Sequence, residues 1–263
     1  MSNKKQTMEE FLVSIIGDFA KNGFVFSNEQ DFQFQLALAL KNNKYKITDN
    51  KTINIQNVFL EVPSFNEDIE KTIDKLKKKK AKKDNKKTNI KEYTDIIIEL
   101  TDGKNVFYNA IELKYKTSYT PFIYKTKSGE SLVMGQGAYD IGSYLYIKDI
   151  FRLEDINNRY FAKKMNITKC YAILLTNEKH YRNGFKSDIW SKCNLKEDAT
   201  LENTISLNLS DDNRDKYKSY QPISLLGKYE LKNKWHDYSL TVSNDAPNFS
   251  FLIVEITPKQ KSN

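Results

Sequence analysis

The sequence predicts an α/β protein whose mixed central β-sheet is flanked by helices, with an additional β-rich C-terminal part. Three observations carry that expectation. Tyr93–Thr117 (YTDIIIELTDGKNVFYNAIELKYKT) reads as two β-branched, apolar runs joined by the turn signal TDGKN. Cys170–Thr176 (CYAILLT) is apolar throughout, as a centrally buried strand would be. Patterns of helical period precede the hairpin and separate it from that strand.

The elements follow in order. Thr7–Lys21 reads as a helix with Phe11, Leu12, Ile15, Ile16 and Phe19 on one side, stopped by Gly23. A second helix follows, with Ser27 and Gln30 as a capping box, Glu29 in its first turn, and Phe32, Leu36, Leu38 and Leu40 as apolar positions. Asn57–Val62 reads as a strand ended by Pro63, which should pair with the Asp95 strand across the intervening insertion. After the hairpin, Tyr119–Ser131 is a loop or small excursion. A helix over Gly135–Phe151 and another over about Ile156–Met165 lead to the Cys170 strand. In the helix end DIFRLE, Asp149, Arg152 and Glu154 are expected to form ion pairs on the helix surface or between elements, in a structural role. From Asn194 on, short strands are expected at Thr204–Leu209, Lys228–Leu231, Tyr238–Val242 and Ser250–Thr257. Trp235 and Tyr229 suit the core better than base stacking.

Composition bounds the function. The chain has 263 residues, 39% hydrophobic and 13% aromatic, enough for one large domain. MSNKKQTMEE does not read as a signal peptide, and no apolar run approaches membrane-spanning length, so an intracellular, cytoplasmic protein is expected. With two cysteines and two histidines, neither a disulfide framework nor a zinc site is expected. No Walker A loop or nucleophile elbow is present. The net charge of +8 is local: residues 71–91 hold eleven lysines and two acids, +9, so the remainder nets −1. That run is either a solvated segment or a phosphate-gripping arm, with Lys77, Lys78, Lys79, Lys80, Lys82 and Lys83 as its densest part.

The chemistry lies in the hairpin. If Gly103 and Lys104 are the central pair of its turn, Asp95 falls opposite Glu112; if Asp102 and Gly103 are, the two sit on a diagonal. In either register both carboxylates and Lys114 share one face, because strand side chains alternate. The other face carries Ile96, Ile98, Leu100, Phe107, Ile111 and Leu113. Adjacent carboxylates repel. A divalent cation relieves that, and oxygen donors favour Mg²⁺ or Mn²⁺. A lysine beside it can orient the attacking water or help deprotonate it, and can stabilise charge on phosphate.

Asp95 followed by Glu112-Leu113-Lys114 on the next strand resembles the D…(D/E)-x-K motif of the PD-(D/E)XK nuclease superfamily, which includes restriction endonucleases. Thr94 stands where a proline often precedes the aspartate. The order strand, strand, strand, helix, strand resembles the core of the restriction-endonuclease-like fold. The resemblance covers residues from about 27 to 180 and extends to bacterial nuclease-like proteins linked to mobile elements. It implies that Asp95, Glu112 and the Leu113 carbonyl bind Mg²⁺, with Mn²⁺ able to substitute, and that Lys114 positions water. It further implies Mg²⁺-dependent hydrolysis of DNA phosphodiester bonds by an endonuclease leaving a 5′-phosphate, in restriction or defence against foreign DNA. Cutting both strands of a duplex needs two sites, hence a homodimer or a partner subunit.

The same resemblance suggests helpers. Glu29 matches a first-helix glutamate facing the site, its alternative being stabilisation of the helix start. Glu61 matches an extra acid from the neighbouring strand. Gln136 with Tyr139 resembles a Gln-x-x-x-Tyr element, with one residue fewer between them and Asp140 at the expected place; the alternative is an ordinary amphipathic helix. Lys125, Lys127 and Tyr124 are candidate phosphate or base contacts in the flanking loop. His180, Arg182 and Lys186 follow the Cys170 strand, Arg182 and Lys186 as further phosphate contacts. Residues 1–193 would form the nuclease-like core and 194–263 an extension of the same domain. The rival reading is a catalytically silent DNA-binding or interaction subunit.

Overall fold

Helix α1 (Met8–Lys21) begins where the sequence supplies a cap. Thr7 Oγ1 accepts from the Glu10 N–H at 3.1 Å, and the Glu10 carboxylate accepts from the Thr7 N–H at 2.8 Å. Phe11, Leu12, Ile15 and Ile16 are buried, and Gly23, at φ 71°, turns the chain away. The computed structural model describes residues 6–43, 45–48, 51–63, 93–118, 121–126, 129–159, 165–240 and 248–259. Helix α2 (Glu29–Asn42) is capped one residue later than expected. Asn28 Oδ1 accepts from the Asp31 N–H at 2.8 Å, and the Asp31 carboxylate takes the Ser27 N–H at 3.0 Å. An ionised carboxylate is a stronger acceptor than the Gln30 amide. Of the apolar positions expected here, Phe32, Leu36 and Leu40 are buried, whereas Leu38 is exposed, as is Phe34.

The strands in chain order are β1 (Tyr45–Thr48), β2 (Lys51–Pro63), β3 (Tyr93–Thr101), β4 (Val106–Lys116), β5 (Phe122–Thr126), β6 (Gly129–Val133), β7 (Ile167–Thr176), β8 (Thr200–Leu201), β9 (Thr204–Ile205), β10 (Ile223–Ser224), β11 (Tyr229–Glu230), β12 (Trp235–Tyr238) and β13 (Phe249–Ile256). The main sheet runs β1-β2-β3-β4-β7-β13-β12. Only β4 and β7 pair in parallel there, so the sheet is mixed. β2 pairs with β3 across the insertion as expected, from Asn54↔Thr101 to Pro63↔Tyr93. The excursion after β4 is the small hairpin β5–β6.

In the β3–β4 hairpin Thr101 pairs with Val106 and Ile96 with Ile111, which selects the register with Asp95 level with Glu112. Ile96, Ile98, Leu100, Ile111 and Leu113 enter a core shared with α1 and α2. The opposite face is not left open. Ile97 and Ala110 join a second core with Ile147, Ile150 and Leu153 of α3 (Tyr139–Glu154). Both sheet faces are therefore covered.

Helix α3 starts four residues after the expected Gly135, because Gly137 (φ 57°) and Ala138 (φ 52°) both take the left-handed conformation, which no helix can continue through. Gln136 thereby falls in a loop. The helix expected next is a single 3₁₀ turn, Ile156–Asn158, and residues 160–164 lie outside the described ones. β7 is buried along Cys170–Thr176.

The C-terminal part extends the main sheet. β13 pairs with β7 from Ser250↔Thr176 to Ile256↔Cys170. β12 pairs with β13 and lies at Trp235–Tyr238, earlier than the strand expected over Tyr238–Val242, of which residues 241–242 lie outside the described ones; the remaining short strands pair as β8–β11 and β9–β10. Trp190, Cys193, Leu195 and Leu201 share the α3 core, so the core crosses position 193 without a break. Trp235 is buried and donates from its indole to the Leu195 carbonyl at 2.9 Å. Among the described residues no helix is long and apolar enough to cross a membrane.

Gly142 marks a close approach of α3 to the chain after β7: a Cβ there would lie 1.9 Å from the Tyr181 hydroxyl oxygen. That hydroxyl is buried and has no hydrogen-bond partner among the described residues. Gly142→Ala should cost ~1–3 kcal/mol of stability through overpacking. Adding Tyr181→Phe should recover most of the loss. Urea denaturation of the four combinations measures the coupling; additive effects would refute the contact.

Candidate functional site

β4 outlasts its partner. The β3–β4 ladder ends at Ile96↔Ile111, whereas β4 runs on beside β7 to Lys116. Strand N–H groups alternate sides, so those of Leu113 and Tyr115 face the space that β3 has left. Two carboxylates fill it. Asp95 Oδ2 accepts from the Leu113 N–H at 2.6 Å, and Glu29 Oε2 accepts from the Tyr115 N–H at 3.0 Å. Glu29 reaches there because α2 packs on this sheet with its first turn at this end.

One turn along α2, Gln33 Nε2 donates to the Asp95 carbonyl at 2.7 Å and to Glu61 Oε1 at 2.9 Å. Glu61 is level with Asp95 on β2, between the pairs Leu60↔Ile96 and Val62↔Thr94. Its φ of 49° is uncommon for a residue with a side chain.

The other wall is α3. Lys114 Nζ lies 2.8 Å from Asp149 Oδ2 and 4.0 Å from Glu29 Oε1, and donates to the Leu113 carbonyl at 3.0 Å. The Arg152 guanidinium spans three partners: Asp149 Oδ1 at 3.0 Å, Glu112 Oε1 at 3.1 Å and the Tyr93 carbonyl at 2.6 Å. Glu112 and Asp149 are almost wholly buried, at 3% and 5% exposure, so these pairs are poorly screened.

Burial dominates the titration of the acids. It pushes Asp95 from 3.8 up to about 6, with Glu29 and Asp149 adding to the rise, while the Leu113 N–H and Lys114 oppose it. Glu112 is likewise raised, by burial first and then by Asp149 and Asp95, against the pull of Arg152 and Lys114. Burial works against the Lys114 ammonium, but Asp149, Glu29 and Asp95 outweigh it and raise its pKa. Lys114 is thus a held cation that donates hydrogen bonds, a setting that does not favour its taking a proton from water.

When all are ionised, the carboxylates of Glu29, Asp95, Glu112 and Asp149 face the two cations Lys114 and Arg152, leaving two negative charges. Hard oxygen donors with that deficit fit Mg²⁺ or Mn²⁺. The set concerned is Asp95, Glu112 and the Leu113 carbonyl, which shares its side of β4 with the Leu113 N–H. Among the described residues, no group of three or more His, Cys, Asp or Glu side chains could hold a metal ion. A cation held by Asp95 and Glu112 would need its further oxygens from the main chain or from water.

Asp95, Glu112, Leu113, Lys114 and Glu29 are brought together, and Glu61 is tied to Asp95 through Gln33. Gln136 is exposed, with its N–H on the Ser118 carbonyl at 3.2 Å. The helix-borne side chains that reach Lys114 and Glu112 are instead Asp149 and Arg152. Tyr124 is buried with its hydroxyl on the Gly23 carbonyl, so it is no base contact. Arg182 pairs with Glu197 and Asp237 instead of standing ready for phosphate. His180 stacks on Tyr139 at 4.6 Å between ring centroids and contacts Glu178. Lys77, Lys78, Lys79, Lys80, Lys82, Lys83 and Lys127, and the side chain of Lys125, lie outside the described residues.

Two signals could have revealed the missed residues. Gln33 is four residues after Glu29, so the two share a helix face. Asp149 and Arg152 are three apart on the helix that crosses from the Lys114 strand to the next one.

Folding raises the Asp95 pKa, so the folded state takes up a proton between about pH 4 and 6. Stability falls as pH rises through that window and stays lower above it. Asp95→Asn keeps the acceptor for the Leu113 N–H and removes the buried charge. In EDTA at about pH 8 it should be more stable than the native chain by ~1–3 kcal/mol, and at about pH 4 the gap should close. Urea melts at the two pH values check this; a gap independent of pH would contradict it.

No family model, curated protein or solved structure matches this chain.

Proposed function

We propose that this chain is a Mg²⁺-dependent deoxyribonuclease of the PD-(D/E)XK type, an endonuclease that hydrolyses DNA phosphodiester bonds, with a role in defence against foreign DNA. The observation that carries the reading is the meeting of Asp95, Glu112, the Leu113 carbonyl and a charged Lys114 where β3 parts from β4. A second support is topological. α2, β2, β3, β4, α3 and β7 follow the order of the core that the motif implies, with β2-β3-β4-β7 adjacent in the sheet.

Asp95 and Glu112 would hold the cation with the Leu113 carbonyl. Its chemistry there would be to acidify a bound water and to neutralise charge on the phosphate. The protein's own groups do the rest. Lys114 is fixed by Asp149 and the Leu113 carbonyl, so its ammonium is aimed before substrate arrives and donates to the attacking water or to a phosphate oxygen. Glu29 and Gln33 hold the Tyr115 N–H and the Asp95 carbonyl and so fix the strand ends that carry the acids.

DNA as substrate is supported by where the basic stretch is tethered. Pro63 pairs with Tyr93, two residues before Asp95, and the sequence between those two paired residues holds the eleven lysines of positions 71–91. Such a tether adds phosphate affinity without reading sequence. Cutting both strands of a duplex would use two copies of the site, in a homodimer or with a partner subunit.

Supercoiled plasmid incubated with Mg²⁺ or Mn²⁺ tests the reading. The native chain should nick or linearise it, and Glu112→Ala and Lys114→Ala should each lower the rate by at least ~100-fold. Binding without cutting under either metal would favour a catalytically silent DNA-binding subunit. Equal cutting by all three proteins would place the activity elsewhere.

A further inference from the structure

The Arg152–Glu112 pair is not needed by the reaction just proposed, and it sits on one of the carboxylates that reaction requires free. Nη2 lies 3.1 Å from Glu112 Oε1, in a place where Glu112 is 3% exposed and water cannot stand in for the guanidinium. Arg152 also has somewhere to remain if it lets go. Nη1 is held by Asp149 at 3.0 Å, and the Tyr93 carbonyl accepts from Nη2 at 2.6 Å. Lys114 makes the matching arrangement on the main chain, its ammonium on the Leu113 carbonyl and on Asp149. Two side-chain cations thus rest on two of the three oxygen donors proposed for the metal, and both are tethered to the same aspartate.

We infer that Arg152 is an internal counter-ion that gives up Glu112 when a divalent cation binds and is kept within reach by Asp149, so that metal binding and release of Arg152 are one exchange. The inference rests on the proposed nuclease site. Its physical basis is charge balance. Without a second cation the buried Glu112 needs the guanidinium; with Mg²⁺ or Mn²⁺ beside it, a guanidinium on the same oxygen is repelled. The exchange lowers metal affinity by the strength of the pair that must be broken, and it keeps the metal-free protein folded around a buried acid. Asp149, between Lys114 and Arg152, would then keep both cations on the substrate side of the site.

Mn²⁺ binding to the full chain tests this by two readouts that do not use cleavage: free Mn²⁺ counted by electron paramagnetic resonance, and the metal-dependent rise in melting temperature. The proteins compared are the native chain, Arg152→Gln, Arg152→Lys and the double variant Glu112→Gln with Arg152→Gln. Arg152→Gln should melt lower than the native chain in EDTA, bind Mn²⁺ at least about tenfold more tightly and gain more from it, since close charge pairs couple by more than a factor of ten. Arg152→Lys keeps the charge without the fork and should fall between them; if Arg152→Gln does not fold, this variant carries the comparison. The double variant should lose the gain, because the released acid is gone. Mn²⁺ affinity in the Arg152 variants equal to or below the native value would overturn the exchange and leave the nuclease reading standing. Absence of Mn²⁺ binding to every protein, the native chain included, would remove both.

Discussion

The organising constraint is a mismatch in strand length. β4 needs partners on both sides as far as Lys116, and β7 supplies one side throughout, but β3 pairs with it only as far as Ile96. The N–H groups of Leu113 and Tyr115 are left at a nearly dry position, where an unmade hydrogen bond is costly. Carboxylates are the strongest acceptors for that purpose. Asp95 serves because it sits where β3 turns away, and Glu29 serves because α2 starts there. Meeting a backbone need therefore gathers negative charge at one end of the sheet. Glu112 and Asp149 add to it, and Lys114 and Arg152 are the response. The charge pattern of the site follows from the geometry of the strand end.

That response depends on α3 lying in one place, and the C-terminal part holds it there. The buried Glu154 carboxylate accepts from the N–H groups of Leu226 and Gly227 and from the Tyr229 hydroxyl, at 2.7 to 3.0 Å. β13 closes the other side of β7, over which α3 packs. Asp149 and Arg152 lie within about a turn and a half of that anchor. The residues after 193 thus act on the site by fixing the helix that faces it.

The parts legible in the sequence are those governed by local periodicity. The hairpin, its apolar face and the common face of Asp95, Glu112 and Lys114 follow from a side-chain period of two. The Cys170 strand is legible because it has no polar side. What escaped was settled by single backbone conformations or by distant packing. The left-handed pair Gly137–Ala138 delayed α3 and stranded Gln136 in a loop. Asp31 displaced the cap expected at Ser27. Asp149 and Arg152 were visible as formers of ion pairs, but their partners depend on which sheet face α3 crosses, and no local pattern encodes that. Ile97 and Ala110 share the face of Asp95 and Glu112, and the hairpin alone does not encode that α3 covers them.

Those two residues bear on why the charges are there. One pleat away from Asp95 and Glu112, on the same face of the same strands, Ile97 and Ala110 pack against Ile147, Ile150 and Leu153 of α3. The chain has an apolar way of joining this sheet to this helix and uses it along most of the contact. Replacing buried ion pairs by well-packed apolar groups is commonly neutral or stabilising; the backbone need of Leu113 and Tyr115 accounts for Asp95 and Glu29, but not for Glu112, Asp149, Lys114 and Arg152 at the end of the contact. The excess acid makes the same point: burial holds Asp95 and Glu112 above their ordinary pKa, a setting that weakens the fold at neutral pH. On the nuclease reading proposed above, a divalent cation and a phosphate would offset that cost.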